Sequence, residues 1–172
     1  LYLYVVDHGE KNGTFLIDSG QILTAAQLDT FLDVLEENTG RVSIVILEAC
    51  YSGSFIDQVG DTDRVVFSSS AADKYSFLSD GGDVSFSQFL STHLLSGYNW
   101  EESFDLASND LTVIGAPYSG MNPQKAIGSQ IVLGKVFGDF SLASFLPKVK
   151  TYTEAGAVDI NIEQSFSIEL DM

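Results

Sequence analysis

Three short runs of apolar and β-branched residues indicate strands of a parallel sheet. They lie at residues 1–6, 44–47 and 65–67, and each is followed by small or polar residues. Continuous apolar runs are typical of strands that are buried on both faces, as in α/β proteins. The pattern therefore predicts an α/β fold whose strands end together at one edge, which is where ligands bind in open α/β sheets.

A helix is predicted between the first two of these strands. Residues 14–17 form a short returning strand, and Thr24 and Gln27 then make a capping-box pattern. Apolar residues at positions 28, 31, 32 and 35 have the spacing of one helix face, so we expect a helix to about Asn38. Since strand, helix and strand form a right-handed crossover, the two strands should be parallel neighbours.

Two further helices are predicted after the third strand. Apolar residues at positions 86, 89, 90 and 94 indicate the first, which carries His93, expected to be a structural histidine. Asn99 with glutamates at positions 101 and 102 is typical of a helix start, and this helix should run to about Ser108.

The pattern of apolar and polar residues changes after residue 109. Residues 115–124 resemble a loop, short strands are predicted at 131–133 and 136–137, and residues 151–170 alternate as in a hairpin or the start of a β-sandwich. We therefore expect a core over residues 1–140 and a β-rich segment over residues 141–172.

The chemistry of the chain centres on its only cysteine, Cys50, which follows the second apolar run. His8 follows the first run in the same way, so parallel strands would place the two side chains across one cleft. A lone cysteine is most often a small buried hydrophobe, but a thiol beside an imidazole is a nucleophile. Because Gly9 has no Cβ, its N–H and that of Cys50 are expected to form an oxyanion hole.

These segments resemble the legumain family of asparaginyl endopeptidases, which are caspase-like cysteine peptidases. The matching motifs are Asp-His-Gly at residues 7–9 and Glu-Ala-Cys-Tyr-Ser-Gly-Ser at residues 48–54, and the resemblance covers about residues 1–105. It implies a caspase-like three-layer α/β sandwich with a mostly parallel sheet, in which two strands precede the histidine strand. We therefore expect strands before Leu1 in the natural protein, and a sheet edge covered by that segment or by another chain.

The resemblance also implies an activity and a substrate pocket. The expected activity is cysteine endopeptidase, with Cys50 as nucleophile and His8 as the group that protonates the leaving amine. Glu48, Ser76 and Asp83 match positions that form the family's specificity pocket, which also uses an arginine from a segment absent here. Asp83 has a second interpretation, as the cap of the helix that starts near residue 86.

The substrate and the class of function stay open at this point. A pocket with both signs of charge favours Asn before the scissile bond, whereas carboxylates alone favour Arg or Lys, as in gingipain and clostripain. An inactive homologue that serves as a binding or scaffold module is the alternative outside the enzymes. The resemblance implies protein or peptide substrates, and neither a cofactor nor a metal.

The composition of the chain limits the classes of partner that it is expected to bind. With 24 acidic and 8 basic residues the net charge is −16, which argues against nucleic acid or anionic lipid and favours cationic substrates. No apolar run of about 18 residues is present, so no membrane span is predicted. A single cysteine allows no internal disulfide and leaves the compartment open, with a secreted or cell-envelope protein favoured.

Overall fold

The computed structural model describes residues 1–18, 20–128, 150–153 and 156–159. The chain divides into two compact units, Leu1–Phe137 and Gly138–Met172. The strands are β1 Tyr2–Val6, β2 Gly9–Glu10, β3 Thr14–Asp18, β4 Gln21–Thr24, β5 Ser43–Glu48, β6 Arg64–Ser68, β7 Gln124–Ile127, β8 Lys150–Thr153 and β9 Gly156–Asp159. The α-helices are α1 Ala25–Thr39, α2 Ile56–Val59, α3 Phe86–Leu95 and α4 Trp100–Ile114.

The central sheet of the first unit has four strands in the order β1-β5-β6-β7. Strands β1, β5 and β6 are parallel, and β7 is antiparallel to β6. The three predicted strands are therefore neighbours, and the expected mixed α/β fold with a mostly parallel sheet is confirmed. Strand β7 was not predicted, and α4 continues to Ile114 rather than ending near Ser108, because Leu111 is buried in the core.

Helices cover both faces of this sheet, which gives three layers. Successive strand residues point to opposite faces, so each strand contributes to two apolar clusters. Helices α1 and α2 pack on one face, in a cluster that includes Phe15, Leu28, Leu32, Val45, Leu47, Phe55, Val59 and Val66. Helices α3 and α4 pack on the other, in a cluster that includes Ile44, Val65, Phe67, Phe86, Leu90, Trp100, Phe104 and Leu111.

Side-chain caps fix the helix ends that the sequence pattern indicates. The Thr24 hydroxyl accepts a hydrogen bond from the Gln27 N–H (3.1 Å), while Gln27 Oε1 accepts one from the Thr24 N–H (3.0 Å). This capping box confirms the predicted start of α1. Gly40 caps the C-terminus of helix α1, and its φ of 61° is a left-handed conformation that glycine adopts without strain.

A buried arginine connects α1 to the start of β6. The Arg64 side chain is fully buried and bonds to three carboxylates of α1 and to the Val59 carbonyl (3.0 Å). The carboxylates belong to Asp29, Asp33 and Glu36. Burial alone would lower the pKa of Arg64, yet its hydrogen bonds to these carboxylates raise it above the ordinary value, so the guanidinium stays charged.

Strand β1 lies at one edge of the central sheet. Leu1, Tyr4 and Val6 are exposed by 44%, 50% and 48%, so this edge presents apolar side chains to solvent. Bare strand edges invite pairing with further strands. The expected covering segment stays a prediction.

The second unit contains the antiparallel pair β8 and β9, in which Lys150 lies opposite Asp159. This pair lies within the stretch where a hairpin or the start of a β-sandwich is predicted, and the β-rich character of residues 141–172 stays a prediction. The strands expected at residues 131–133 and 136–137 lie outside the described residues. The division at residue 140 also stays a prediction. Among the described residues, no helix has both the length and the apolar character that crossing a membrane requires.

Candidate active site

The carboxyl ends of β1 and β5 bring the His8 and Cys50 segments into contact. The parallel ladder pairs Val6 with Glu48. Beyond it, Gly9 lies so close to Cys50 that a Cβ built on the glycine would overlap the carbonyl oxygen of Cys50 and lie 3.2 Å from the Cβ of Ala49. Only glycine fits here, which gives the His-Gly motif a physical reason.

Strand pairing directs the N–H of Gly9 away from β3. Gly9 lies opposite Phe15, and the preceding carbonyl of His8 accepts a hydrogen bond from the Leu16 N–H (3.0 Å). Because bonded and non-bonded pairs alternate in an antiparallel ladder, Gly9 belongs to a non-bonded pair. The His8 side chain is exposed, and its backbone N–H donates to Asp7 Oδ1 (2.7 Å), so Asp7 shapes the turn.

Cys50 is a partly buried free thiol beside the segment that follows β6. Its Sγ donates to the carbonyl of Ser76 (3.6 Å), and the Tyr51 N–H donates to the carbonyl of Lys74 (2.8 Å). Tyr51 has φ 57°, a left-handed conformation that is uncommon for residues other than glycine. The chain therefore turns sharply directly after the thiol.

The three residues after Tyr51 are small because each makes a close backbone contact. Ser52 Oγ accepts from the Ser70 N–H (3.2 Å), and Ser54 Oγ donates to the Tyr51 carbonyl (2.6 Å). A Cβ on Gly53 would lie 2.8 Å from the Ser70 carbonyl oxygen, closer than side-chain atoms pack. The Ser-Gly-Ser sequence thus fits the cysteine turn against the end of β6.

Glu48 lies beneath this turn with its side chain fully buried. One carboxylate oxygen accepts from Ser76 Oγ (3.1 Å), and the other accepts from the Ser87 N–H (2.7 Å) in the first turn of α3. A helix N-terminus favours negative charge and offers N–H groups without helical partners. Burial raises the pKa of Glu48, and the hydrogen bonds from Ser87 and Ser76 oppose that rise.

Asp83 is exposed and follows a 3₁₀ turn at Asp80–Gly82. The cap of α3 is Ser85, whose Oγ accepts from the Gln88 N–H (3.2 Å), so the interpretation of Asp83 as the helix cap is wrong. No hydrogen bond or ion pair found in the described residues joins the Asp83 side chain to the rest of the site. The structure thus brings four of the predicted site residues into contact, namely Gly9, Glu48, Cys50 and Ser76.

The comparison with known families agrees with this geometry. The family model described as Peptidase C13 family matches residues 1–119. The chain belongs to the peptidase C13 family. C13 peptidases, the legumain family, are cysteine-type endopeptidases, so the chain is a hydrolase of the cysteine peptidase class and the resemblance drawn from its motifs is confirmed. A search of curated proteins found no match.

The site contains buried hydroxyl groups whose position was predicted wrongly from the sequence. The end of β6 was expected to face the cleft, but the side chains of Ser69 and Ser70 are fully buried below the cysteine turn. The run of serines after an apolar strand was a signal for the site. The burial of these serines could not be predicted from the sequence, because it depends on the position of Ala49, to which both hydroxyls bond.

Two tyrosines next to Cys50 were also missed. The rings of Tyr51 and Tyr75 lie 5.0 Å apart, and the ammonium of Lys11 lies 5.4 Å from the Tyr51 ring centroid. The hydrogen bond with Tyr75 raises the pKa of Tyr51 to about 12.

In the described part of the chain, no cluster of three or more His, Cys, Asp or Glu side chains is arranged to hold a metal ion.

Proposed function

We propose that Cys50 and His8 form the catalytic dyad of this C13 peptidase. The thiolate attacks the carbonyl carbon of the scissile bond, and the N–H groups of Gly9 and Cys50 stabilise the oxyanion. His8 donates a proton to the leaving amine as the C–N bond breaks. Water then hydrolyses the thioester, with His8 accepting a proton from it, and the free thiol is restored.

The observation that carries this proposal is the contact between Gly9 and Cys50. The two residues are far apart in sequence, and their backbones approach too closely for any side chain on residue 9. His8 is attached directly to one of them. The N–H of Gly9 is directed away from β3 by its strand pairing, which leaves it available for a substrate oxygen.

We further propose that the enzyme prefers Asn before the scissile bond. Glu48 is fully buried and each of its carboxylate oxygens already accepts a hydrogen bond, so it is poorly placed to pair with a guanidinium or an ammonium. In this proposal the Asp83 carboxylate accepts from the NH₂ group of the carboxamide, and Ser76 Oγ, whose proton is used for Glu48, is a second acceptor. A site that hydrogen-bonds an amide rejects substrates that lack it, because buried polar groups would be left unpaired.

A preference for Arg or Lys is the second candidate. It is favoured by the net charge of −16 and by the exposed carboxylate of Asp83. A third possibility is an inactive binding module, in which Cys50 would react with iodoacetamide no faster than free cysteine does.

The dyad is tested with Cys50→Ala and His8→Ala in the full-length protein, using fluorogenic peptides. Both variants should lose peptidase activity while keeping the wild-type circular dichroism spectrum. His93→Gln is the matched control, since His93 pairs with Asp110 (2.7 Å) on helices α3 and α4 and should be dispensable. Activity that survives in Cys50→Ala would show that the dyad assignment is wrong.

Specificity is tested with two peptides that differ only in Asn or Arg before the scissile bond. The expected result is cleavage of the Asn peptide and little cleavage of the Arg peptide. Asp83→Ala should lower kcat/KM for the preferred peptide, whereas Asp73→Ala, an exposed aspartate in the loop after β6, should not. Cleavage of the Arg peptide alone would exclude the Asn preference and leave the dyad intact.

A further inference from the structure

The peptide unit before the nucleophile is held by side chains rather than by the strand ladder. Strand β5 ends at Glu48, and the next residue, Ala49, donates its N–H to Ser69 Oγ (3.2 Å). The Ala49 carbonyl accepts from Ser70 Oγ (2.9 Å) and from the Ser52 N–H (3.3 Å). In the described chain, no other acceptor is found for the Ala49 N–H, so Ser69 alone satisfies it.

These hydroxyls belong to a buried network. Ser69 Oγ lies 2.8 Å from Ser76 Oγ, and Ser76 Oγ donates to Glu48 Oε1 (3.1 Å). Ser52, Ser69 and Ser70 are fully buried, and Ser76 is 8% exposed. Water therefore competes little for these hydrogen bonds, which are stronger in such surroundings than at the surface.

The carboxylate of Glu48 determines which group donates in the hydrogen bonds between Ser69, Ser76 and Glu48. Ionised Glu48 can only accept, so Ser76 must use its proton for Glu48. Ser69 then donates its own proton to Ser76, which leaves its oxygen free to accept from the Ala49 N–H. Ser69 and Ser76 thus both donate towards Glu48, and Ser69 presents an acceptor to the residue that precedes the thiol.

We propose that Ser69 and Ser70 are positioning residues that hold Cys50 in register with His8 and Gly9. This inference rests on the proposed Cys50–His8 dyad and goes beyond it, since neither serine touches the substrate. The left-handed conformation of Tyr51 makes such support necessary. A strained turn persists only where its surroundings fix it, and here the fixed point is the peptide unit of Ala49.

The consequence of removing Ser69 Oγ is a loss of alignment. In Ser69→Ala the Ala49 N–H loses its acceptor, and the cysteine turn can shift relative to the imidazole. A displacement of about 1 Å at a reacting group costs on the order of 100-fold in rate. We expect kcat per active site to fall by about 10- to 100-fold with KM changed by less than about twofold, as is typical when only alignment in the transition state is lost.

The experiment uses the full-length protein and counts active sites as the folded fraction, measured by circular dichroism, of the total Cys50 that iodoacetamide alkylates under denaturing conditions. Ser69→Ala, Ser70→Ala and the rescue variant Ser69→Thr are compared with Ser103→Ala. Ser103 is the matched control because it is also fully buried, and its hydroxyl has no hydrogen-bond partner in the described part of the chain. Instability alone would lower the number of active sites, but it would not lower kcat per site.

A second readout needs no substrate. The rate of Cys50 alkylation by iodoacetamide is measured over a range of pH, and the rate profile of Ser69→Ala should lie below that of the wild type, because the thiol is no longer aligned with the imidazole. Ser103→Ala should keep the wild-type profile, and Ser69→Thr should restore it in part. Superimposable profiles and equal kcat per site for Ser69→Ala and wild type would overturn the positioning role.

The outcomes also separate this inference from the proposed function. Activity that survives Cys50→Ala would reject the dyad, whatever the serine variants do. Loss in Cys50→Ala combined with unchanged Ser69→Ala and Ser70→Ala would reject only the positioning role. If Ser69→Ala fails to fold, Ser70→Ala and Ser69→Thr decide the question by the same two readouts.

Discussion

Replacing Arg64 with Met should destabilise the fold strongly without touching the cysteine. The guanidinium is fully buried, while the side chains of Asp29, Asp33 and Glu36 are 26%, 49% and 13% exposed. Removing one partner of a buried ion pair costs about 3–5 kcal/mol, because the remaining charge is left uncompensated. Two of the carboxylates reach water, so the lower end applies, and we expect a loss of about 3 kcal/mol in the free energy of unfolding.

Urea denaturation followed by circular dichroism measures this loss. The control is Lys74→Ala, since Lys74 and its partner Asp73 are exposed by 47% and 76% at the surface. Exposed pairs contribute about 0–1 kcal/mol, so this variant should unfold almost like the wild type. A loss below about 1 kcal/mol in Arg64→Met would contradict the view that its charge is needed to offset the carboxylates of α1.

A second substitution makes the test sharper. Glu36 is the most buried of the three carboxylates and accepts from Arg64 Nε (2.9 Å). Glu36→Gln should destabilise the wild type, because it removes an ion pair. In the Arg64→Met background the same substitution should be stabilising, because it removes an uncompensated charge. The same sign in both backgrounds would refute the reasoning.

Three further predictions concern the site and its supports. Gly9→Ala should lower kcat by about 100-fold or more, because the new methyl group displaces the backbone of Gly9 or of Cys50; steady-state kinetics would contradict this if kcat were unchanged. Ser85→Ala should cost about 1 kcal/mol of stability in urea denaturation through loss of the α3 cap, whereas Asp83→Ala should cost little. Glu48 binds its proton more tightly in the folded state, so its stabilising contribution is present below its unfolded pKa and is lost as pH rises through the raised folded pKa. Glu48→Gln should therefore gain stability relative to the wild type as pH rises above about 4.5, and parallel stability curves against pH would exclude this.

Local patterns in the sequence were sufficient to predict most strands of the central sheet and most of the helices. The Thr24 and Gln27 capping box is a contact between residues three positions apart, so its sequence pattern specifies it completely. The same holds for Asn99 and Glu102 at the start of α4. Apolar runs likewise predict the buried strands β5 and β6, because their burial depends on residue type more than on a particular partner. The run in β1 departs from this rule, since Tyr4 and Val6 at the sheet edge are about half exposed.

Contacts between distant polar residues could not be predicted in this way. Strand β7 reads Gln-Lys-Ala-Ile, which has little strand pattern of its own and depends on the edge of β6 for its pairing. The carboxylate partners of Arg64 lie 28 to 35 positions earlier in the chain. For the site, motifs predicted His8 and Cys50, but a serine that lines a cleft and one that lies beneath it look the same in the sequence.

Polar groups at the two ends of β6 determine its register, and through it the position of Cys50. The apolar residues between them, Val65–Phe67, are fully buried, but apolar burial is not directional and would tolerate a shift of two residues. Such a shift would separate Arg64 from the carboxylates of α1 and would leave the Ala49 N–H without Ser69. Both losses are costly because the groups are buried. The pairing of β5 with β6 is therefore specified by the buried charge of Arg64 and by buried hydroxyls, and the same hydroxyls hold the residue that precedes Cys50.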